Sequence, residues 1–139
     1  MKNEHRFVFD VNVIVSALLT PTGTARRALD KAQDESVVVV SAAVAAELQD
    51  VLNREKFNRY VPQAKRDDFY RRFLETSTLI SPTETIEACR DPSDNKYLEL
   101  AVAANASAIV SGNPDLLALN PFRNIPVLSP NEFLDADFS

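Results

Sequence analysis

Three acids in this chain stand at positions where a charge is costly or well placed for chemistry on a phosphoryl group. Asp10 closes the apolar stretch Arg6-Phe7-Val8-Phe9 and is followed by Val11-Asn12-Val13-Ile14-Val15. A carboxylate among apolar residues needs a cation or several hydrogen-bond donors. Two readings are open for it: a ligand to a bound cation, with Asn12 holding Asp10 or a cation-bound water, or a structural cap satisfied by backbone amides. Glu47 shares a helical face with Val44, Leu48 and Val51 at i, i+3, i+4, i+7 spacing, so it interrupts a stripe expected to pack inward. The plainer alternative is a glutamate at the stripe's edge reaching for water. Asp94 lies in the first turn of a predicted helix, where the macrodipole alone would favour an acid. Asn113 and Asp115 occupy a similar place after a later strand, Asn113 as N-cap and Asp115 in the first turn.

The combination is more informative than its members. Every clearly predicted strand end but one is followed by an acid able to turn toward one sheet edge. An all-oxygen cluster of this kind suits Mg²⁺ or Mn²⁺, hard octahedral ions that usually keep several waters. Such an ion lowers the pKa of a bound water and neutralises phosphoryl charge, so phosphodiester hydrolysis is the natural chemistry. Competing chemistries are poorly supplied. The single cysteine, Cys89, and the single histidine allow neither an internal disulfide nor a typical His-rich zinc site, and point to a reducing compartment. Two glycines essentially exclude a Gly-rich phosphate loop.

The elements that must position these acids alternate between strand and helix. Arg6–Phe9 reads as a strand, and Val11 to Leu19 as a short buried helix closed by Thr20-Pro21-Thr22-Gly23. Thr24 is expected to cap a helix to about Lys31, with Ala25, Ala28, Leu29 and Ala32 on one face. Val37-Val38-Val39-Val40 is a β-branched run that suits burial on both faces of a parallel sheet. Ser41 caps a helix to about Asn53, and Pro62 opens one carrying Phe69, Phe73 and Leu74. Thr78-Leu79-Ile80, Ala108-Ile109-Val110 and Pro126-Val127-Leu128 are further strands, with helices from Asp91-Pro92-Ser93, Asn113-Pro114 and Pro130 between and after them. This is α/β patterning. In such sheets ligands bind beyond the carboxyl ends of the strands, where the acids fall.

The 139 residues suit one domain, and 45% hydrophobic residues suffice for one core. The apolar run after Asp10 is too short for a membrane span, and no signal peptide follows Met1. The net charge of −5 is unexpected for a nucleic-acid protein, yet residues 54–72 carry seven bases (Arg54, Lys56, Arg59, Lys65, Arg66, Arg71, Arg72) against three acids. That segment is net +4 and the remainder −9. It reads either as a surface for RNA or a partner, or as a solvated helix face.

With these residues in view, the chain resembles the PIN-domain family, in its VapC-like toxin branch. Asp10-Val-Asn-Val-Ile-Val-Ser-Ala-Leu-Leu is similar to the family's opening motif, and Glu47 in Ala46-Glu47-Leu48 to its helical glutamate. Asp94 in Arg90-Asp91-Pro92-Ser93-Asp94-Asn95-Lys96 takes the place of the third acid. Ile109-Val110-Ser111-Gly112-Asn113-Pro114-Asp115 is similar to the final motif, with one departure: Asn113 stands where the family usually has an acid, and Asp115 is placed to compensate. The resemblance covers essentially the whole chain. It implies a single three-layer α/β/α domain over residues 1–139 with a parallel sheet ordered 3-2-1-4-5. It also implies a cytoplasmic Mg²⁺- or Mn²⁺-dependent endoribonuclease on single-stranded RNA, a homodimer, and a cognate antitoxin that occludes the site. Asp10, Asp94 and Glu47 would hold the metal and, with Asp115, carry catalysis, while Asn12, Ser16, Ser111 and Asn113 support them. Two other readings stand beside it. One is a catalytically weak or inactive PIN-like module binding RNA or a protein. The other is a receiver domain or aspartate-nucleophile phosphatase, for which the required second Asp near Asp10 is absent.

Overall fold

The computed structural model describes residues 4–138; both ends of the expected 1–139 domain, Met1 included, lie outside the described residues. The elements run β1 (Arg6–Phe9), α1 (Val11–Leu19), α2 (Thr24–Glu35), β2 (Val37–Val40), α3 (Ala42–Leu52), α4 (Gln63–Glu75), β3 (Thr78–Leu79), α5 (Asn95–Ala104), β4 (Ala108–Val110), α6 (Pro114–Leu117), β5 (Val127–Leu128) and α7 (Pro130–Asp135). Short 3₁₀ turns at Glu55–Phe57 and Pro92–Asp94 precede α4 and α5.

The five strands form one parallel sheet ordered β3-β2-β1-β4-β5. Phe7 lies opposite Val38 on one side and Ala108 on the other, and Phe9 opposite Val110. Burial explains the composition of the central strands. Phe7, Val8, Phe9, Val38, Val39, Val40, Ala108, Ile109 and Val110 are all at most 2% exposed, which leaves no face of the middle of the sheet for polar residues. Edge strand β3 is exposed, and Leu79 is 68% accessible. Phe7 of the central strand β1 meets Phe133 of α7 and Phe138 edge-on, and those two rings are tilted to each other.

Several expected boundaries shift for identifiable reasons. Gly23, not Thr24, is the N-cap of α2, and the helix continues to Glu35 because Ala28, Leu29 and Ala32 keep its inner face buried past Lys31. Pro62 is the N-cap of α4 and lies just before its first turn. Ser41 caps α3 as expected, its hydroxyl accepting from the Val44 amide at 3.2 Å. Asn105 ends α5 in the left-handed region at φ 51°, which asparagine tolerates better than most residues. Among the described residues no helix is long and apolar enough to cross a membrane.

Candidate metal and nucleic-acid site

Asp10 is 3% exposed at the carboxyl end of β1, and its backbone amide donates to Val110 O on β4 at 2.9 Å. The junction of the two central strands therefore fixes where its side chain begins. Its two oxygens are used differently. Oδ1 accepts from the Asn12 amide at 3.0 Å, which makes Asp10 the N-cap of α1, and Oδ2 accepts from Ser111 Oγ at 2.7 Å. The capping role is real, and it occupies one oxygen.

From Ser111 a chain of hydrogen bonds runs to the second acid. Ser111 is fully buried, and its hydroxyl oxygen accepts from the Asn113 amide at 2.9 Å. The Asn113 side-chain nitrogen then donates to Asp94 Oδ2 at 2.8 Å, while its Oδ1 accepts from the Asp115 amide at 2.9 Å. Asn113 is thus a helix cap on one side and a carboxylate partner on the other. Asp94 ends the 3₁₀ turn and stands at the N-cap of α5, but its side chain makes no capping bond there. Asp91 does cap locally, through the Ser93 amide at 3.0 Å. The plain explanation for an acid at a helix start therefore accounts for Asp91 and leaves Asp94 to the site. Burial pushes the Asp94 carboxyl above its ordinary range; the Asn113 bond opposes this, and the charges of Asp91 and Asp10 add to it.

Glu47 is held from the opposite side. The Tyr97 hydroxyl donates to Oε2 at 2.7 Å, and Lys96 Nζ lies 2.6 Å from Oε1. The same Tyr97 oxygen accepts from the Val11 amide at 3.1 Å, so one buried phenol joins α5, α3 and the start of α1. Burial, then the charge of Asp10 and the bond to Glu47, push that phenol far above its ordinary pKa, which keeps its proton available to Glu47. Tyr97 and Lys96 are not singled out by the sequence. A tyrosine on a buried stripe needs a partner for its hydroxyl, which was the available signal; a lysine beside it gives none.

The supporting residues separate into buried and open ones. Ser111 is inside, whereas Asn12 and Ser16 are exposed. With Asp10, Gly112 and Asn113 they line a shallow cleft of about 410 Å³. A larger groove of about 670 Å³ lies elsewhere, between α1, α2 and α4, and contains none of the carboxylates just described. Asp115 is half-buried, and its charge, like that of Asp94, helps to raise the Cys89 thiol pKa after burial has done so. Among the described residues no three His, Cys, Asp or Glu side chains form a group able to hold a metal ion by themselves. Mg²⁺ is commonly held by one or two carboxylates with water completing the shell, and Asp10 and Asp94, whose charges act on one another, supply two oxygen donors of that kind.

The basic segment does not act as one surface. Arg66 is 1% exposed and donates to the carbonyls of Val61, Leu52 and Arg54 and to Asn58 Oδ1. It is a structural anchor for the loop before α4, which corrects its expected RNA-binding role: the guanidinium is spent on backbone. Arg71 pairs with Asp68 and Glu75, Arg72 with Asp68, and Arg54 with Asp50, all exposed. Lys56 and Arg59 lie over the rings of Phe57 and Tyr60, and exposed Lys65 lines the larger groove.

A five-stranded parallel α/β sheet with a carboxylate-lined edge defines the class to which this fold and site belong. The chain is a member of the PIN domain family, whose description matches residues 6–115. It is 29% identical over 140 residues to the uncharacterized protein MJ1680 of Methanocaldococcus jannaschii, covering 94% of this chain and 90% of that one. Among solved structures it is similar to PAE2754 from Pyrobaculum aerophilum, with TM-score 0.62 and 13% identity over 94% of this chain and 88% of that one. It is also similar to VapBC2 from Rickettsia felis, solved bound to a DNA fragment from the promoter, with TM-score 0.58 and 16% identity over 88% of this chain and 96% of that one. At those identities the two structures speak for the shared fold.

Proposed function

We propose that this chain is a Mg²⁺- or Mn²⁺-dependent endoribonuclease, one nuclease domain over residues 1–139, cleaving single-stranded RNA as the toxin of a toxin–antitoxin pair. The observation that carries the reading is the hydrogen-bond chain Asp10–Ser111–Asn113–Asp94, which holds two carboxylates from different elements beside one another. Two buried or half-buried acids in electrostatic contact repel each other, and a divalent ion relieves that repulsion. Asp10 and Asp94 would hold the ion, which supplies charge neutralisation at the phosphoryl group and a more acidic water. Glu47, fixed by Tyr97 and Lys96, orients the attacking water, and Asp115 assists at the far side of Asn113. Ser111 fixes Asp10, while Asn12 and Ser16 at the open cleft contact substrate or ordered water. Among the basic residues, Arg54, Lys56, Arg59, Lys65, Arg71 and Arg72 remain open to RNA or a partner. A homodimer, a cytoplasmic setting and an antitoxin partner belong to the same reading, and for the antitoxin partner the likeness to VapBC2 is the support.

The deciding experiment follows cleavage of labelled single-stranded RNA with and without Mg²⁺, beside a folded Asp10→Asn protein. Cleavage that needs the metal and vanishes in Asp10→Asn supports the assignment; equal cleavage by both proteins sinks it. A second reading, a weak or inactive module that binds RNA or protein, is favoured by Asn113, whose amide occupies an oxygen of Asp94. Metal-independent RNA binding without cleavage would select it.

A further inference from the structure

We infer that Lys96 is a phosphate-binding residue of this site, the fixed cation that receives a non-bridging oxygen of the RNA backbone beside Asp94 and Glu47. The inference rests on the ribonuclease reading and deepens it. The charges of Asp10 and Asp91 act on Asp94, and those of Asp10 and Glu47 act on Tyr97, so a phosphodiester approaching this site would meet a concentration of negative charge. Lys96 is the basic side chain built in among these acids: it pairs with Glu47 at 2.6 Å and offsets the raised pKa of Asp94.

The local energetics argue that this lysine is placed for a purpose outside its own helix. It is the second residue of α5, where a cation opposes the macrodipole. The fold nevertheless restrains it three ways. Its ammonium donates to Glu47 Oε1 and to the Ser93 carbonyl, and it lies 5.3 Å from the centroid of the Tyr97 ring. An ammonium has three donors, and the two hydrogen bonds leave one for a ligand. Its side chain is 17% exposed, so it is not sealed from solvent, while the Glu47 and Tyr97 contacts hold it in one place. A local rule broken in favour of a restrained charge beside a carboxylate cluster is the pattern of a functional site.

The test uses the full chain in an Asp10→Asn background, so that RNA is bound and not cut, in buffer without divalent metal. The Kd for a short single-stranded oligoribonucleotide is followed by fluorescence anisotropy against salt. Lys96→Met is expected to weaken binding several-fold and to reduce the salt slope by about 0.7, the value for removing one phosphate contact from a single strand. Lys96→Arg should restore the slope. Lys96→Gln, which can still donate a hydrogen bond but carries no charge, should reduce the slope as Lys96→Met does, and serves where that variant folds poorly. An unchanged slope in folded Lys96→Met or Lys96→Gln, with the parent binding RNA normally, overturns the assignment and leaves Lys96 as a prop for Glu47. A parent that neither binds nor, with Asp10 restored, cleaves RNA takes down the ribonuclease reading itself, and this inference with it.

Discussion

The side-chain amide of Asn113 donates to Asp94 Oδ2 at 2.8 Å, and its carbonyl oxygen accepts from the Asp115 amide at 2.9 Å. One residue thereby caps α6 and neutralises nothing, while tying down an acid whose carboxyl pKa burial already pushes upward. That arrangement gives the departure from the family's usual acid a physical meaning: the amide supplies a donor that a carboxylate would not.

Asn113→Asp should therefore lower metal-free stability and raise Mg²⁺ affinity. The cap survives, since Asp and Asn are comparable there. The bond to Asp94 becomes a contact between two carboxylates, at a cost of about 1–3 kcal/mol. Added Mg²⁺ should recover the loss by mass action. Melting curves with and without Mg²⁺ check both halves; equal stabilisation in the two conditions would reduce Asn113 to a cap.

Arg66→Met should cost about 3 kcal/mol or more in urea unfolding, because several backbone carbonyls around 52–61 lose a charged donor together. RNA binding by the folded fraction should keep its salt slope. A flattened slope would return Arg66 to the RNA surface, against its burial.

Arg66 also marks where the sequence stops being readable. The parallel sheet was legible because Val37–Val40 is continuous and β-branched, and because Ser41 and Asn113-Pro114 announce their helices locally. Asp10 was legible as an acid in an apolar run. Arg66 looks like any member of a basic stretch, since its partners are carbonyls up to 14 residues away that only the folded loop presents. The Tyr97–Glu47 bond spans 50 residues, and no periodicity encodes it. Asp94 lay between: its helix start was visible, with Asp91 readable as the N-cap before Pro92, but not that Asn113, 19 residues on, would hold the Asp94 carboxylate.

Reversing Arg71 and Arg72 to Glu should weaken RNA binding and lower the salt slope by about 0.7 for each phosphate contact removed. The fold should tolerate the change, because the pairs with Asp68 and Glu75 are exposed and such pairs are worth about 0–1 kcal/mol. Unaltered RNA binding with loss of self-association in sedimentation would make this stretch of α4 a protein interface instead.

Tyr97→Phe should destabilise the metal-free protein by about 1–3 kcal/mol with little change in packing. The ring keeps its place on the part of α5 that is buried with Leu98, Leu100 and Ala101. Only the oxygen is removed, and two groups lose a partner at once: the Val11 amide at the start of α1 and Glu47 Oε2. If the two bonds act as one bridge between α1 and α3, the effect of Tyr97→Phe must depend on Glu47. A double-mutant cycle with Glu47→Gln measures that dependence, and residues in one network are expected to couple by about 0.5–3 kcal/mol. Glutamine keeps a carbonyl oxygen that can accept from Tyr97, so Glu47→Ala is the stricter partner and should give the larger coupling. Strict additivity in the Glu47→Ala cycle would mean that the phenol stabilises α1 alone. Glu47 would then be held by Lys96 through a single ion pair, and Lys96→Met should release it.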